Sequence, residues 1–548
     1  MQINNYFTIL KNEFRGYNAS AFMKDALAGI TCTAVALPLA LAFGVSSGAD
    51  AASGLICAII AGLVIGGLSG ASYQISGPTG AMAAILLSLS ATYGLQWVFA
   101  AGFLSGLLLL LFALFKIGKL VSFIPKPVIT GFTSGIAIII ALGQVDNAFG
   151  TVSQGSSALA KLGSYFTLGF HPALSAVFYT VLCALIMILW PKKFNKVFPS
   201  SLLAIIVALV VQLIFNLDVA TVGAIPRTLL PEERLMFSSL NPAYLAKFLS
   251  PALSIALLGM IESLLCGASG GKMKGEKIDA TQELYAQGIG NALIPFFGGI
   301  PATAAIARTS VAIKSGGVTR MVSVIHSVGL LLSMFLLSPL MAQIPLAALS
   351  GVLMVTAWRM NEWETIHVIF SKKLKTSIAQ FLVTMIATVV FDLTTAILIG
   401  VGLSMLLFVL RASSDLTIEV EKVANDTCAI FINGMLFFGN QDKITAVVNK
   451  LASEGYRKFV FSLRGVSQID HSGAEELGSI LEECKARGFK VALCGLQSEV
   501  ETMLERVGIE YKEYKSPNIK SVWKYERAFA LSFILLSIPY EVQHIAFL

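Results

Sequence analysis

Apolar residues come in blocks along the chain as far as Arg411. They fall at roughly 24–45, 50–69, 80–94, 96–115, 124–145, 171–190 and 199–217. After a polar interruption at 218–245 they resume near 246–270, 284–298, 303–314, 320–342, 345–358, 375–392 and 394–411. Most of these blocks, at 1.5 Å per helical residue, are long enough to cross a hydrocarbon core of about 30 Å. They divide seven and seven, and in each set the third is short and introduced by Gly and Pro: SGPTGA (76–81) and GGIPAT (298–303). Short, Gly/Pro-interrupted segments at matching places in two halves mark a binding site near the bilayer midplane. Seven is odd, so the second set enters from the opposite face. The pattern therefore predicts a polytopic α-helical membrane protein with 14 transmembrane segments as a 7+7 inverted repeat. Two half-helices would point their N-termini at one another.

Beyond Arg411 the period changes. TCAIFINGMLFF, KFVFSLRG and KVALCG alternate like strands, while SGAEELGSILEECKARG and SEVETMLERVG have helical spacing. Strands alternating with helices over 412–527 predict a small α/β domain. The apolar tail 528–548 is broken by Pro539 and is too short before it to span. The division read from the sequence is thus 1–23 (N-terminal segment), 24–411 (transmembrane domain), 412–527 (α/β domain) and 528–548 (tail).

Composition agrees. Of 548 residues, 56% are hydrophobic and 13% charged, about half the charge of a soluble domain. The formal charge of +7 is no sign of nucleic acid, because lysines in such a chain orient its helices. The even-numbered connections hold Lys116, Lys119 and Lys126, Lys192, Lys193 and Lys196, Lys272, Lys274 and Lys277, Lys314 and Arg320, and Arg359, Lys372, Lys373 and Lys375. The opposite side holds Lys161, Arg227, Arg234 and Lys247. The positive-inside rule then puts both termini in the cytoplasm, and the expected location is the plasma (inner) membrane. The N-terminus has no signal-peptide core, so targeting is expected to fall to the first span. Seven cysteines without paired spacing suggest free thiols. No metal spacing, catalytic triad or phosphate-binding glycine motif occurs, so no enzyme, metal or cofactor is expected.

The candidate chemistry is at 298–317. Free N–H groups at a helix start, together with the positive end of the macrodipole, make an anion site. Arg308, about one and a half turns into the short helix, adds a full charge. Glu262, in LLGMIESLLCG, is read as the only carboxylate well inside a span, and intramembrane ionisable residues default to a functional reading. Arg308 would attract the anion and Glu262 would carry a proton or sit near a cation; the plainer reading is a buried Glu262–Arg308 pair that locks the fold. Thr303, Ala304 and Ala305 on one half-helix and Thr79, Gly80 and Ala81 on the other are small enough to admit an anion to backbone N–H groups. Small residues also serve tight helix packing. Phe43, after Pro38, is a candidate wall. His326 is a candidate proton carrier, or more plainly a satisfied interhelical histidine.

GPTGA (77–81), GFTSGIA (131–137), GMIESLLC (259–266), ELYAQGIGN (283–291) and FFGGIPATAAIARTSV (296–311) together resemble the sulfate permease (SulP) family of anion transporters, and the C-terminal domain resembles its STAS domain. The likeness covers roughly 15–525. It implies a core and a gate domain, an anion between helices three and ten, and an elevator-like shift of the core. It also implies a homodimer and cytoplasmic protein partners of the STAS domain. Arg308 matches the family's basic residue in helix ten, while Ala305 and Ala307 stand where prestin-like members have serines. Glu262 matches the acidic residue of helix eight. Sodium-coupled bicarbonate members have Thr a turn later where this chain has Cys266, which argues for protons over sodium. The ESLLC and PATAAIAR spellings are closest to the dicarboxylate-transporting branch. Asp470-His471-Ser472-Gly473 resembles the switch of anti-sigma-factor antagonists, in which the serine matching Ser472 is phosphorylated; the plainer reading is a cap for a helix beginning at Gly473. The expected function is secondary active transport of inorganic or small organic anions of the sulfate or C4-dicarboxylate class, coupled to protons. The rivals are a sodium–bicarbonate symporter and a membrane signalling scaffold.

Overall fold

The computed structural model describes residues 3–155, 158–191, 198–239, 248–391 and 393–516. The basic connection at 192–196, Lys247, Asp392 and the tail 528–548 lie outside the described residues. The chain separates into two compact units, 1–402 and 403–548.

The first unit is helical. α1 (Ile3–Glu13) precedes α2 (Ala19–Ser46), which is capped by Asn18. α3 (Ala51–Ile60), capped by Asp50, runs through a π-helical turn (Ala61–Ile65) into α4 (Gly66–Leu68). Next come β1 (Ser76–Gly77), α5 (Gly80–Tyr93), α6 (Leu95–Leu114), α7 (Lys126–Gly143), α8 (Val145–Phe149), α9 (Ala158–Leu168), α10 (Leu174–Leu189) and α11 (Ser200–Phe215). The second half has α12 (Leu249–Lys274), α13 (Ala280–Leu293), β2 (Thr303–Ala304), α14 (Ile306–Lys314), α15 (Met321–Met341), α16 (Leu346–Met360), α17 (Trp363–Ser371), α18 (Lys375–Val390) and α19 (Leu393–Ser414). Among the described residues, seven helices are long and apolar enough to cross a membrane, and five shorter apolar helices join them.

Every apolar block of the sequence is represented, with instructive differences at two of them. The short block read at 303–314 is not one helix: its first two residues form β2, and the helix proper has nine residues, Ile306–Lys314. The block read at 284–298 starts earlier, because Asp279 caps α13 by accepting from the N–H groups of Thr281 and Gln282. That brings Glu283 inside the helix and fully out of solvent. α13 lies on α6 with backbones close: a side chain at Gly106 would stand 2.4 Å from the amide nitrogen of Ala292 and 2.8 Å from the Gly288 carbonyl. Small residues at such crossings bring helices into direct backbone contact.

The second unit holds a five-stranded sheet in the order β3 (Thr417–Ala424), β4 (Thr427–Leu436), β5 (Lys458–Ile469), β6 (Lys490–Cys494), β7 (Lys515–Ser516). β3 is antiparallel to β4 and the other pairs are parallel. The parallel strands are joined by α20 (Asp442–Ser453), α21 (His471–Ala486) and α22 (Ser498–Val507), the βαβ pattern expected of alternating elements. Phe459, Phe461, Ile430 and Leu493 on the strands pack with Leu477, Val500 and Leu504 on the helices as one core. β3, α20 and the two-residue β7 are additions to the expected elements. α21 starts at His471 rather than Gly473, and Asp470 is its cap, accepting from the Gly473 N–H at 2.8 Å and, through its other oxygen, from Phe438 N–H at 3.1 Å. Ser472 lies in the first turn of α21, half-buried.

Candidate functional site

β1 and β2 pair antiparallel, Ser76 with Ala304 and Gly77 with Thr303. Each strand leads within three residues into a short helix, α5 or α14. Antiparallel strands send the following helices in opposite directions, so the N-termini of α5 and α14 converge on the crossing. This is the arrangement expected from the two Gly/Pro-interrupted segments.

The expected residues gather there. Thr79 is the N-cap of α5, accepting weakly from Met82 N–H (3.4 Å) and donating to Glu262 Oε2 (3.0 Å). Thr303 donates to the same oxygen at 2.6 Å, so one carboxylate oxygen of α12 ties together both half-helix entrances. Ala304 N–H is taken by Ser263 Oγ (3.2 Å) and Ala305 N–H by the Ile75 carbonyl (3.0 Å). Ala305 is the N-cap of α14 and provides no side-chain acceptor, leaving the first-turn N–H groups uncapped. Ala307, in that turn, is exposed. Gly80 and Ala81 open α5, both buried, and Gly80 has no room for a side chain: a β-carbon there would lie 2.2 Å from Ile140 and 3.2 Å from the Phe43 ring. Phe43 therefore walls the start of α5.

Arg308 is 1% exposed, yet among the described residues it makes no salt bridge. Its Nη2 donates to the Pro78 carbonyl at 2.7 Å, and its Nη1 has no hydrogen-bond partner among the described residues. The Glu262–Arg308 lock considered from the sequence is thus not formed. The guanidinium lies over Gly77, where a β-carbon would stand 2.4 Å from Nη1; only glycine leaves that space. Cys266 does not approach Glu262 as a ligand. Its thiol donates to Thr309 Oγ1 (3.3 Å), which also accepts from Ile75 N–H (3.0 Å) and so ties α14 to the approach of β1.

Three features escaped the sequence reading. Glu283 is a fully buried carboxylate, receiving Ser69 Oγ, Gly70 N–H and Gln287 Nε2. Asp25 is another, gathering the N–H groups of Val318 and Thr319 and the hydroxyls of Thr319 and Tyr17. Their helical positions beside block edges give them the look of interfacial residues. Third, His326 is not the satisfied histidine of the plainer reading: it is fully buried and neither ring nitrogen has a hydrogen-bond partner among the described residues. No cluster of three or more His, Cys, Asp or Glu suited to a metal occurs among the described residues.

Comparison with known proteins fixes the family. Residues 22–388 match the sulfate permease family, and residues 417–521 match the STAS domain. The chain belongs to the sulfate permease family. It is 36% identical over 91% of its length to a Bacillus subtilis protein named "Putative sulfate transporter YvdB", covering 96% of that protein. It is 29% identical over 88% of its length to the bicarbonate transporter BicA of Picosynechococcus, covering 90% of it. The structure of SLC26A9 superposes over 99% of this chain and 96% of its own, with a TM-score of 0.79 at 16% identity, a likeness of fold. This permease is a multi-pass membrane protein with the 14-span inverted-repeat fold and a C-terminal STAS domain, and it belongs among anion transporters, not enzymes. Among the described residues the long and shorter apolar helices are α2, α3–α4, α5, α6, α7–α8, α10 and α11, then α12, α15, α16, α18 and α19, with α13 and the nine-residue α14 between α12 and α15.

Proposed function

We propose that this permease is a proton-coupled secondary active transporter that holds its anion between the N-termini of α5 and α14. The observation that carries the reading is Arg308: a buried guanidinium with no carboxylate partner among the described residues, one nitrogen unbonded, beside an uncapped helix start. A buried unpaired charge is costly, and an incoming anion compensates it. Thr79, Gly80, Ala81 and Phe43 line one side of the anion's place, and Thr303, Ala304 and Ala305 the other. Glu262, tied to both entrances through the hydroxyls of Thr79 and Thr303, is the coupling group. The substrate class is sulfate or a C4-dicarboxylate. The relatives' names point to sulfate and bicarbonate, and the ESLLC and PATAAIAR spellings to dicarboxylates. Transport proceeds by an elevator-like shift of the core in a homodimer of the plasma membrane, with both termini cytoplasmic. The STAS domain meets cytoplasmic protein partners, and phosphorylation of Ser472 is its regulatory step.

One observation favours a second reading. Thr79, Thr303 and Glu262 bring three oxygens to one point, and hard cations take oxygen ligands. Uptake of labelled sulfate, succinate and bicarbonate into proteoliposomes, with proton and sodium gradients imposed separately, decides between them. Accumulation driven by protons supports the proposal; accumulation driven by sodium alone supports the bicarbonate-symporter reading. Binding without uptake of any of the three would turn the case to a sensing scaffold.

A further inference from the structure

α13 carries Glu283, Gln287 and Asn291 at intervals of four, which places them on one helical face, each about 6 Å further along the axis. All three are fully buried. Each reaches a non-helical residue of the segments that lead to the crossing, Glu283 and Asn291 at the backbone and Gln287 at a side chain. Glu283 Oε2 accepts from Ser69 Oγ (2.5 Å) and Gly70 N–H (3.1 Å), just beyond α4. Gln287 Nε2 donates to Ser76 Oγ of β1 (3.0 Å) and to Glu283 Oε1 (2.9 Å). Gln287 Oε1 has no hydrogen-bond partner among the described residues, so the amide acts through Nε2. Asn291 brackets Ala302: its Oδ1 accepts from Ala302 N–H (2.7 Å) and its Nδ2 donates to the Ala302 carbonyl (2.9 Å).

That two-way contact is what a neighbouring strand would supply, delivered by a side-chain amide at the residue before β2. The crossing needs it. Strands of two residues are far below the length that holds a sheet together. One helix, packed on α6 through Gly106 and Gly288, therefore grips both strands: β1 through Gln287 and β2 through Asn291, one turn apart.

We propose that Glu283, Gln287 and Asn291 are positioning residues, a ruler on α13 that fixes the starts of α5 and α14 relative to one another and thereby sets anion affinity. The proposal rests on the reading that the anion binds between those two helices. It makes no use of contact between α13 and the anion. Gln287→Glu sets a carboxylate against Glu283 and removes the donor to Ser76. Glu283→Gln keeps an oxygen for Ser69 and Gly70 but sets an amide nitrogen against Gln287 Nε2, so the Gln287 amide must turn over and give up its donation to Ser76. The double variant Glu283→Gln/Gln287→Glu restores the chain with its polarity reversed. In it the amide oxygen at position 283 accepts from Ser69 and Gly70, and the amide nitrogen there donates to the carboxylate at position 287. The Ser76 hydroxyl donates to that same carboxylate.

The experiment measures KM and Vmax for labelled sulfate, succinate and bicarbonate in proteoliposomes, with melting temperature as a control on folding. For the anion that wild type takes up, Gln287→Glu is expected to raise KM about tenfold, the scale of one buried hydrogen bond. The double variant should return KM to within about threefold of wild type. Ser76→Ala, which removes only the link to β1 and leaves α13 intact, should raise KM several-fold with Vmax less affected. Wild-type KM in Ser76→Ala overturns the proposal, as does a double variant that regains the wild-type melting temperature without regaining KM. If the single variants do not fold, the double variant and Ser76→Ala decide alone. Wild-type protein that takes up none of the three anions refutes the reading of the site, and this inference falls with it; unchanged KM in the variants refutes this inference alone.

Discussion

Arg308→Gln separates an anion-attracting charge from a structural strut. Among the described residues the guanidinium makes no direct ion pair and its one hydrogen bond goes to the Pro78 carbonyl, so glutamine breaks no salt bridge. The cost to the fold is that of one hydrogen bond, about 1–3 kcal/mol for a charged donor. The cost to binding spans a similar range for a unit charge and doubles for a divalent anion. A unit anion about 4 Å from a unit positive charge gains about 1 kcal/mol at the dielectric of water and about 4 kcal/mol at an effective dielectric of 20. Affinity for a monovalent anion should therefore fall between about fivefold and about a thousandfold. The Coulomb term is proportional to charge, so for a divalent anion the fold-loss is squared. Bicarbonate and sulfate can be compared directly by competition against uptake of the better substrate, in wild type and in Arg308→Gln, at constant ionic strength. The expected result is protein that purifies monodisperse, with sulfate affected far more than bicarbonate. Equal losses for the two anions, or an unchanged competition constant for both, would refute the charge argument; loss of folded protein would restore Arg308 to a structural role.

Glu262→Gln keeps an oxygen to accept from Thr79 and Thr303 but cannot exchange a proton; it should retain anion exchange and lose accumulation driven by an inward proton gradient, and undiminished accumulation would sink the coupling assignment. Gly77→Ala puts a β-carbon 2.4 Å from Arg308 Nη1, where about 3.4 Å is comfortable, so the guanidinium must shift by about 1 Å and surrender Pro78; KM should rise at least tenfold, and wild-type kinetics would show that the guanidinium has room to move. In the STAS domain, Asp470→Ala removes the α21 cap and the acceptor for Phe438 N–H, and should cost about 1–2 kcal/mol in urea unfolding of the domain; no change in midpoint would mean that water replaces both contacts.

The helical frame of this permease is legible because spans declare themselves by apolar length, and the crossing because SGPTGA and GGIPAT interrupt matching blocks. What stays hidden has its own physical cause in each case. β1 and β2 have two residues each, too few for any period to emerge, and their pairing joins positions more than two hundred residues apart. Glu283 and Gln287 lower the hydropathy at the start of α13, so the block reads as beginning at 284 and Glu283 falls outside it; the cap at Asp279 shows that the helix has already started. In the second unit, β3 carries an alternating TIEVEKVA and α20 buries Ile444, Val448 and Leu451 at helical spacing; both signals are present but lie among so many charges that they do not stand out. The site residues with the plainest signal are those whose chemistry is unusual in a membrane on its own account, Arg308 and Glu262. Those that hold the crossing together have ordinary partners, serine hydroxyls and the backbone N–H and C=O groups freed where helices break. Such groups must be satisfied inside the protein at membrane depth, so each broken helix requires polar side chains from an intact one. An amide or carboxylate repeated every four residues in a span beside two broken helices is therefore a signal in its own right: E-x3-Q-x3-N in ELYAQGIGN marks the helix that does the holding, not the end of a span.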